Sequence, residues 1–281
     1  MQVFLCGTRG STPAPGRDFV RYGGHTSCIA FAHDGEAPRF VVDAGTGIRQ
    51  LTSILGGEPF RGTIVLSHLH WDHVHGLPFF KAGAMPGSRA EVYLPANGKD
   101  PSVVLEGGMS IPHFPVGPLE LGPGWFFHAL SEQNYEFEGF QLLARRIPHK
   151  GGETYGFRVS DGTASVAYLS DHAPLSLGPG PDDLGEYHDA ALELAANADL
   201  LIHDAQFLES EFPGVAYLGH SSIEYAVALA DKAGARELLL YHHSPDRTDD
   251  EIDGILDGLT GAAVPITAAA DSAVIALPRV G

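Results

Sequence analysis

A chain of 281 residues, 44% of them hydrophobic and 19% charged, is long enough to bury a substantial core and too apolar to be disordered. Its 17 basic residues stand against 35 acidic ones, a formal charge of −18, which disfavours a long nucleic acid as partner because tracking a phosphate backbone needs clustered positive charge. Cys6 and Cys28 are too few for a disulfide scaffold or a thiolate zinc cluster.

The start, Met1 to Cys6, carries neither a basic lead nor a long apolar run, and no stretch has the apolar length to span a bilayer. The expectation is a protein of a reducing cytoplasm with no membrane partner.

In chain order, short apolar runs ending in Gly, Pro or Asp predict strands at 3–7, 28–32, 40–43 and 63–67, then at 91–94, 125–130, 135–137 and 140–147. Further strands are expected at 154–159, 165–170, 200–203, 237–242 and 273–277, with Asp161-Gly162 as a hairpin turn. One helix is expected over 188–197. Ser221-Ser222-Ile223-Glu224 has the capping-box pattern, followed by Ile223, Ala226, Val227 and Ala230 at helical spacing and by Gly234 as a stop. Thr248-Asp249-Asp250-Glu251 repeats that pattern before Ile252, Ile255, Leu256 and Leu259. Residues 81–124, rich in Gly and Pro, read as an insertion or lid within one domain spanning 1–281. Two strand-rich halves with a few helices each suit two sheets packed face to face with helices outside.

The chemistry concentrates in Ser67-His68-Leu69-His70-Trp71-Asp72-His73, directly after an apolar strand. Residues two apart on extended backbone point to the same side, so His68 and His70 can reach one ion together. Asp72 and His73 come at the next bend and can face a second. Imidazole and carboxylate suit zinc, manganese or iron, and two such ions about 3.5–4 Å apart can clamp the attacking and leaving oxygens of a displacement. Two ions need further ligands, and His149, Asp171 and His242 stand at the ends of later strands. Bound cations would reverse the field inside a pocket, so a small anionic substrate is compatible with the acidic chain.

This pattern resembles the metallo-β-lactamase superfamily. Its signature H-x-H-x-D-H is matched by His68, His70, Asp72 and His73, its later ligands by His149, Asp171 and His242, and its early aspartate by Asp43 in Val42-Asp43-Ala44-Gly45. The chain looks most like the ribonuclease Z-like phosphodiesterase branch. Leu201-Ile202-His203-Asp204-Ala205-Gln206 resembles that branch's H-E-A-T segment, and Gly219-His220-Ser221-Ser222 its G-H-S-T segment. The likeness runs from about residue 2 to about residue 250.

The resemblance implies an α/β fold, a four-layer αββα sandwich of two mixed β-sheets with helices outside. It implies a dinuclear metal-dependent hydrolase of phosphodiester bonds with two divalent ions, zinc first, manganese or iron being admissible. By it, His68, His70 and His149 hold one ion and Asp72, His73 and His242 the other, while Asp171 and a nucleophilic hydroxide bridge them. Asp72, His220 and Asp204 form the expected catalytic set, with His220 donating a proton to the leaving oxygen and Asp204 orienting it. Asp43 braces the metal loop. A homodimer is common in this branch and is carried as an expectation.

Other positions favour blander roles. His243 competes with His242, but successive strand residues face opposite ways, and the branch has an apolar residue at that place. His75, His172 and His203 are expected to shape the pocket or support ligands, and Arg9 to sit in a tight turn. His25 stands where related sequences carry Asn; Phe79, Phe80 and Trp125 read as core.

True β-lactamases of this superfamily commonly use a Cys ligand at the second ion, which Cys6 and Cys28 precede the signature too early to supply. Flavodiiron proteins put Glu where His70 stands, and glyoxalase II-type thioesterases add a helical C-terminal domain. Only 21 residues separate His149 from Asp171, too few for the tRNA-gripping arm of ribonuclease Z. The leading expectation is therefore a small phosphodiester such as a cyclic nucleotide. Thioester or lactone hydrolysis, cleavage of short RNA, and a non-catalytic metal sensor are the alternatives.

Overall fold

The computed structural model describes residues 1–277. The first half of the chain forms β1 (Gln2–Gly7), β2 (Cys28–Ala32), β3 (Phe40–Val42), α1 (Ile48–Ile54), β4 (Arg61–Val65), α2 (Trp71–Val74), β5 (Arg89–Pro95), α3 (Pro101–Glu106) and β6 (Trp125–Leu130). There follow β7 (Asn134–Phe137), β8 (Phe140–Arg146), β9 (Tyr155–Ser160), β10 (Ser165–Leu169), α4 (Asp189–Ala195) and β11 (Leu200–Asp204). The remainder gives α5 (Phe212–Val215), α6 (Ile223–Ala233), β12 (Leu238–Tyr241), α7 (Asp249–Gly258), β13 (Ile266–Ala268) and β14 (Val274–Ala276).

The strands make two seven-stranded sheets, ordered β14-β1-β2-β3-β4-β5-β6 and β13-β12-β11-β10-β9-β8-β7. Both are mixed. β3 through β6 pair in parallel in the first and β10 through β13 in the second, while the other neighbours run antiparallel. Phe31, Phe40 and Val3 of one sheet meet Phe140, Phe157 and Ile202 of the other in the central core. On the outer face of the first sheet α1 buries Ile48 and Leu51; on that of the second, α4 and α6 bury Leu194 and Leu229. That is the four-layer αββα sandwich. Because helices cover the outer faces, β2, β10 and β11 are buried at every position, and Cys28–Ala32, Val166–Leu169 and Leu200–Ile202 within them read as continuous apolar runs rather than alternations.

Local signals act as the sequence implies, with three corrections. The cap of α6 is Ser222, whose hydroxyl accepts from Tyr225 N at 3.1 Å, and not Ser221, whose hydroxyl donates to the His172 carbonyl at 2.7 Å. Ser221 stands one residue too far back for its side chain to reach the first free amides of the helix. The stretch 81–124 is not detached from the core either: β5 lies inside the first sheet between β4 and β6, and residues 81–88 and 96–124 flank it outside the strands. Phe80 and Trp125 are core, but Phe79 is 57% exposed. No helix among the described residues is long and apolar enough to cross a membrane.

Parallel strands of one sheet present their C-terminal ends on the same side, where the loops after them can converge on a site. The loops after β4, β10, β11 and β12 carry His68 to His73, Asp171, the segment after Asp204, and His242, and the loop after β8 adds His149.

Candidate metal centre

All seven predicted ligands meet. Donor atoms of His68, His70, His149 and Asp171 lie within 4.8 Å of one another, and so do those of Asp72, His73, Asp171 and His242. Asp171 belongs to both groups through different oxygens. Its Oδ1 lies 3.6 Å from His68 Nε2 and 3.5 Å from His149 Nε2, whereas Oδ2 lies 2.9 Å from His73 Nε2 and 3.1 Å from His242 Nε2. In the second group Asp72 Oδ2 approaches His242 Nε2 at 3.1 Å and His73 Nε2 at 3.3 Å.

The donor set fits divalent cations. Tetrahedral ligands 2.0–2.1 Å from an ion lie about 3.3 Å apart, the scale of these separations. His68 Nε2 is buried without any hydrogen-bond partner, although a buried polar atom without one is costly. Burial also lowers the pKa of His68, His70 and His149, which keeps the imidazoles neutral and their lone pairs free to ligate. For Asp72 and Asp171 burial works toward the acid form, but the surrounding histidines, His73 for the first and His242 for the second, prevail and hold both well below the usual carboxylate range.

Backbone strain gathers at the same point. Asp43, Asp171 and His242 adopt left-handed φ values of 61°, 55° and 59°, a region that non-glycine residues enter at a cost of about 1–3 kcal/mol each. Asp43 is fully buried and accepts from Ser67 N at 2.7 Å, Ser67 Oγ at 2.8 Å, Tyr168 OH at 2.7 Å and His73 Nδ1 at 2.8 Å. It thereby fixes the ring of His73 and the turn that starts the ligand motif. His149 Nδ1 is held by the Gly219 carbonyl at 2.6 Å.

Gln206 and Ser11 have no assigned role in the sequence reading, yet they complete the second group. His242 Nδ1 donates to Gln206 Oε1 at 3.0 Å, Gln206 Nε2 donates to Ser11 Oγ at 3.1 Å, and Ser11 N donates to Asp72 Oδ2 at 2.7 Å. Ser11 also has a left-handed φ, 61°. That conformation, at a Gly-Ser pair far upstream of the motif, leaves no mark in spacing or periodicity.

His220 lies at the edge of the cluster, its Nδ1 2.9 Å from Asp204 Oδ2 and 3.8 Å from Asp171 Oδ1. Burial disfavours its charge, but Asp204 outweighs burial and the pKa stands at about 9. Asp204 is fully buried and also accepts the amides of His172 at 3.2 Å and Gln206 at 3.1 Å, so its orientation is fixed from three sides. Ser11, His70, Trp71, Asp72, Asp171 and His220 share one open mouth.

The remaining histidines stay out of the donor groups. His243 turns its Nε2 to the Ala269 carbonyl, His25 rests against Thr46, and His75 stacks on Trp71. His172 and His203 form a buried chain with His188. Arg9 is buried and donates to the carbonyls of Gly23, Ser244 and Arg247, which leaves it tying loops together and not facing a phosphate.

A family model described as the beta-lactamase superfamily domain matches residues 38–243. The chain is 27% identical over 295 residues to a protein named ribonuclease Z from Exiguobacterium sibiricum, covering 89% of this chain and 91% of that relative. A solved diphosphatase of the PhnP family shares the fold with a TM-score of 0.72 at 21% identity, over 99% of this chain and 98% of its own. Zinc-bound PqqB from Methylobacterium extorquens gives 0.70 at 19% identity, over 99% and 100%. With the ligand motif, the sandwich and a family match over well more than half the chain agreeing, the protein belongs to the beta-lactamase superfamily domain family.

Proposed function

We propose that this protein is a hydrolase of small phosphodiesters that works with two divalent cations, zinc first, with a cyclic nucleotide as the leading substrate. The observation that carries this reading is the split of Asp171, whose two oxygens face two separate donor groups while His220 stands beside the same carboxylate. Bound there, divalent cations supply a nucleophilic water near neutral pH and neutralise charge on the phosphoryl group. His68, His70 and His149 with Asp171 would hold one, and Asp72, His73 and His242 with Asp171 the other.

The chain's own acid–base work falls to His220. Asp204 accepts the Nδ1 hydrogen bond, which turns Nε2 away from the carboxylate, and the negative charge of Asp204 beside the ring favours its protonated form. His220 lines the mouth over Asp171, so Nε2 can deliver a proton to a leaving oxygen. Asp204 positions it, and Gln206 and Asp43 position the rings of His242 and His73.

The names of the relatives support phosphoryl chemistry, and the ribonuclease Z names favour short RNA as the second reading. The charge of −18 opposes a long RNA. Two buried free thiols accord with a reducing cytoplasm.

The test is metal analysis followed by a substrate panel of bis(p-nitrophenyl) phosphate, 2′,3′- and 3′,5′-cyclic nucleotides, short RNA, thioesters and lactones. Two ions per chain and turnover of a cyclic nucleotide are expected. His220→Ala should cut that turnover about 100-fold or more with metal content unchanged. Turnover of thioesters or lactones alone would overturn the reading.

A further inference from the structure

Beside the metal cluster lies a second cavity of about 440 Å3, walled by Leu69, Trp71, Phe79, Leu105, Met109 and Phe114. Among the described residues no Lys, Arg, Asp or Glu lines it, and its ionisable side chains are His75 and His113. In so acidic a chain, a wall without Lys, Arg, Asp or Glu beside a site built for anions separates two kinds of recognition. Charge is met at the cluster, and an apolar group is met here.

The ligand motif itself divides the two spaces. Leu69 and Trp71 alternate with His68, His70 and Asp72, and they line both this cavity and the mouth over Asp171 and His220. A group bound in the cavity is therefore within one side chain of the reacting position. The far wall comes from α3 and the loop after it, the part of 96–124 that leaves the sheet.

The aromatic surfaces are presented to solvent and already held. Trp71 is 68% exposed, with its ring stacked on His75 at 5.3 Å and 20°. Phe79, also exposed, meets Phe114 edge-on at 5.8 Å and 77°. Rings fixed before binding lose little conformational freedom when a partner stacks on them. The cavity volume falls in the small-molecule range of about 300–1,000 Å3, enough for a ring system and its sugar but not for an oligonucleotide.

We propose that this cavity receives a flat, uncharged aromatic group of the nucleobase kind, carried on the phosphodiester whose charge the metal cluster holds. The proposal rests on the phosphodiesterase reading above and adds the place where the base is held, a subsite that would favour nucleoside phosphodiesters over sugar- or glycerol-phosphate diesters. Trp71 and Phe79 supply stacking faces, Met109 a polarisable floor, and His75 and His113 hydrogen-bonding groups for the edge of a heterocycle.

The test compares two esters with one leaving group, thymidine 5′-(p-nitrophenyl phosphate) and methyl p-nitrophenyl phosphate, on the metal-replete protein. The thymidyl ester should be preferred at least about tenfold in kcat/KM, and Phe114→Ala should erode that ratio about tenfold, mainly through KM. A wild-type ratio near one, or a ratio unmoved by Phe114→Ala, overturns the cavity assignment while leaving the phosphodiesterase reading standing. If neither ester and no cyclic nucleotide is turned over, the phosphodiesterase reading falls instead, and the cavity is read by binding. Trp125→Phe leaves Trp71 as the sole indole of the chain. Saturable quenching of Trp71 by thymidine 5′-monophosphate that Phe114→Ala weakens supports the cavity as an aromatic site, and no quenching, or quenching unmoved by Phe114→Ala, overturns it.

Discussion

Gln206 Oε1 lies 3.0 Å from His242 Nδ1, and the same amide reaches Ser11 Oγ through its nitrogen at 3.1 Å. One side chain thus ties a ligand on the loop after β12 to the loop after β1, whose Ser11 amide in turn holds Asp72. Partners of this kind orient a ligand and raise its basicity, and removing them commonly costs 10–100-fold in metal affinity.

Gln206→Leu should therefore weaken binding at the second donor group about 10–100-fold while binding at the first is little changed. Competition with a chelator of known affinity measures both. Gln206→Glu, which keeps an acceptor for His242 Nδ1, should recover most of the loss. Equal weakening at both groups would show that Gln206 acts on the fold and not on His242.

Gly10 sits against the same ring. A Cβ built at Gly10 would stand 2.4 Å from His242 Nδ1 and 2.5 Å from Cε1. Contacts that short cannot persist, and the ring cannot yield without leaving Asp72 and Asp171. Gly10→Ala should thus lower metal content toward one ion per chain, read by elemental analysis of the dialysed protein. Retention of two ions with normal affinity would mean the backbone moves instead.

The sequence makes the cluster legible because each ligand follows a strand end, where periodicity stops and a His or Asp stands out. The six residues from His68 to His73 carry their own geometry, and His149, Asp171 and His242 needed only the order of the strands. Gln206, Ser11 and Gly10 were hidden for the opposite reason. They act through contacts between loops distant in the chain, and their residue types are ordinary there. The fold shows the same division. Long buried strands read clearly, whereas α1, with seven residues and no side-chain cap, and β13, with three, lack the length for a period to register.

Asp204 and His220 should behave as one unit. Asp204→Asn keeps the size but removes the charge that holds His220 protonated, so His220 loses its elevated pKa. Turnover by Asp204→Asn should fall about as far as by His220→Ala, and the double variant should be no worse than the more impaired single one. Additive losses in the double-mutant cycle would assign Asp204 to a separate task, such as holding the amides of His172 and Gln206.

A pH effect on stability follows from Asp271, far from the motif in sequence. Its carboxylate accepts from His25 N at 3.0 Å and Thr8 Oγ1 at 3.1 Å, and Gly23 packs directly on it. Burial pushes its pKa up to about 6 against these hydrogen bonds, from an ordinary value of 3.8. The sign is the reverse of the usual carboxylate. Between pH 4 and 6 the folded chain keeps a proton that the unfolded chain has released, so this group's contribution to stability is full below about pH 4 and is lost as pH rises through 6. The full swing is on the order of 3 kcal/mol. Asp271→Asn carries no charge at any pH and escapes that loss. Relative to wild type it should gain on the order of 2–3 kcal/mol in urea unfolding between pH 4 and pH 7.5, measured on metal-free protein so that ligand protonation does not intrude. A difference between the two proteins that stays constant across that range would mean that Asp271 titrates in the folded chain near its ordinary value.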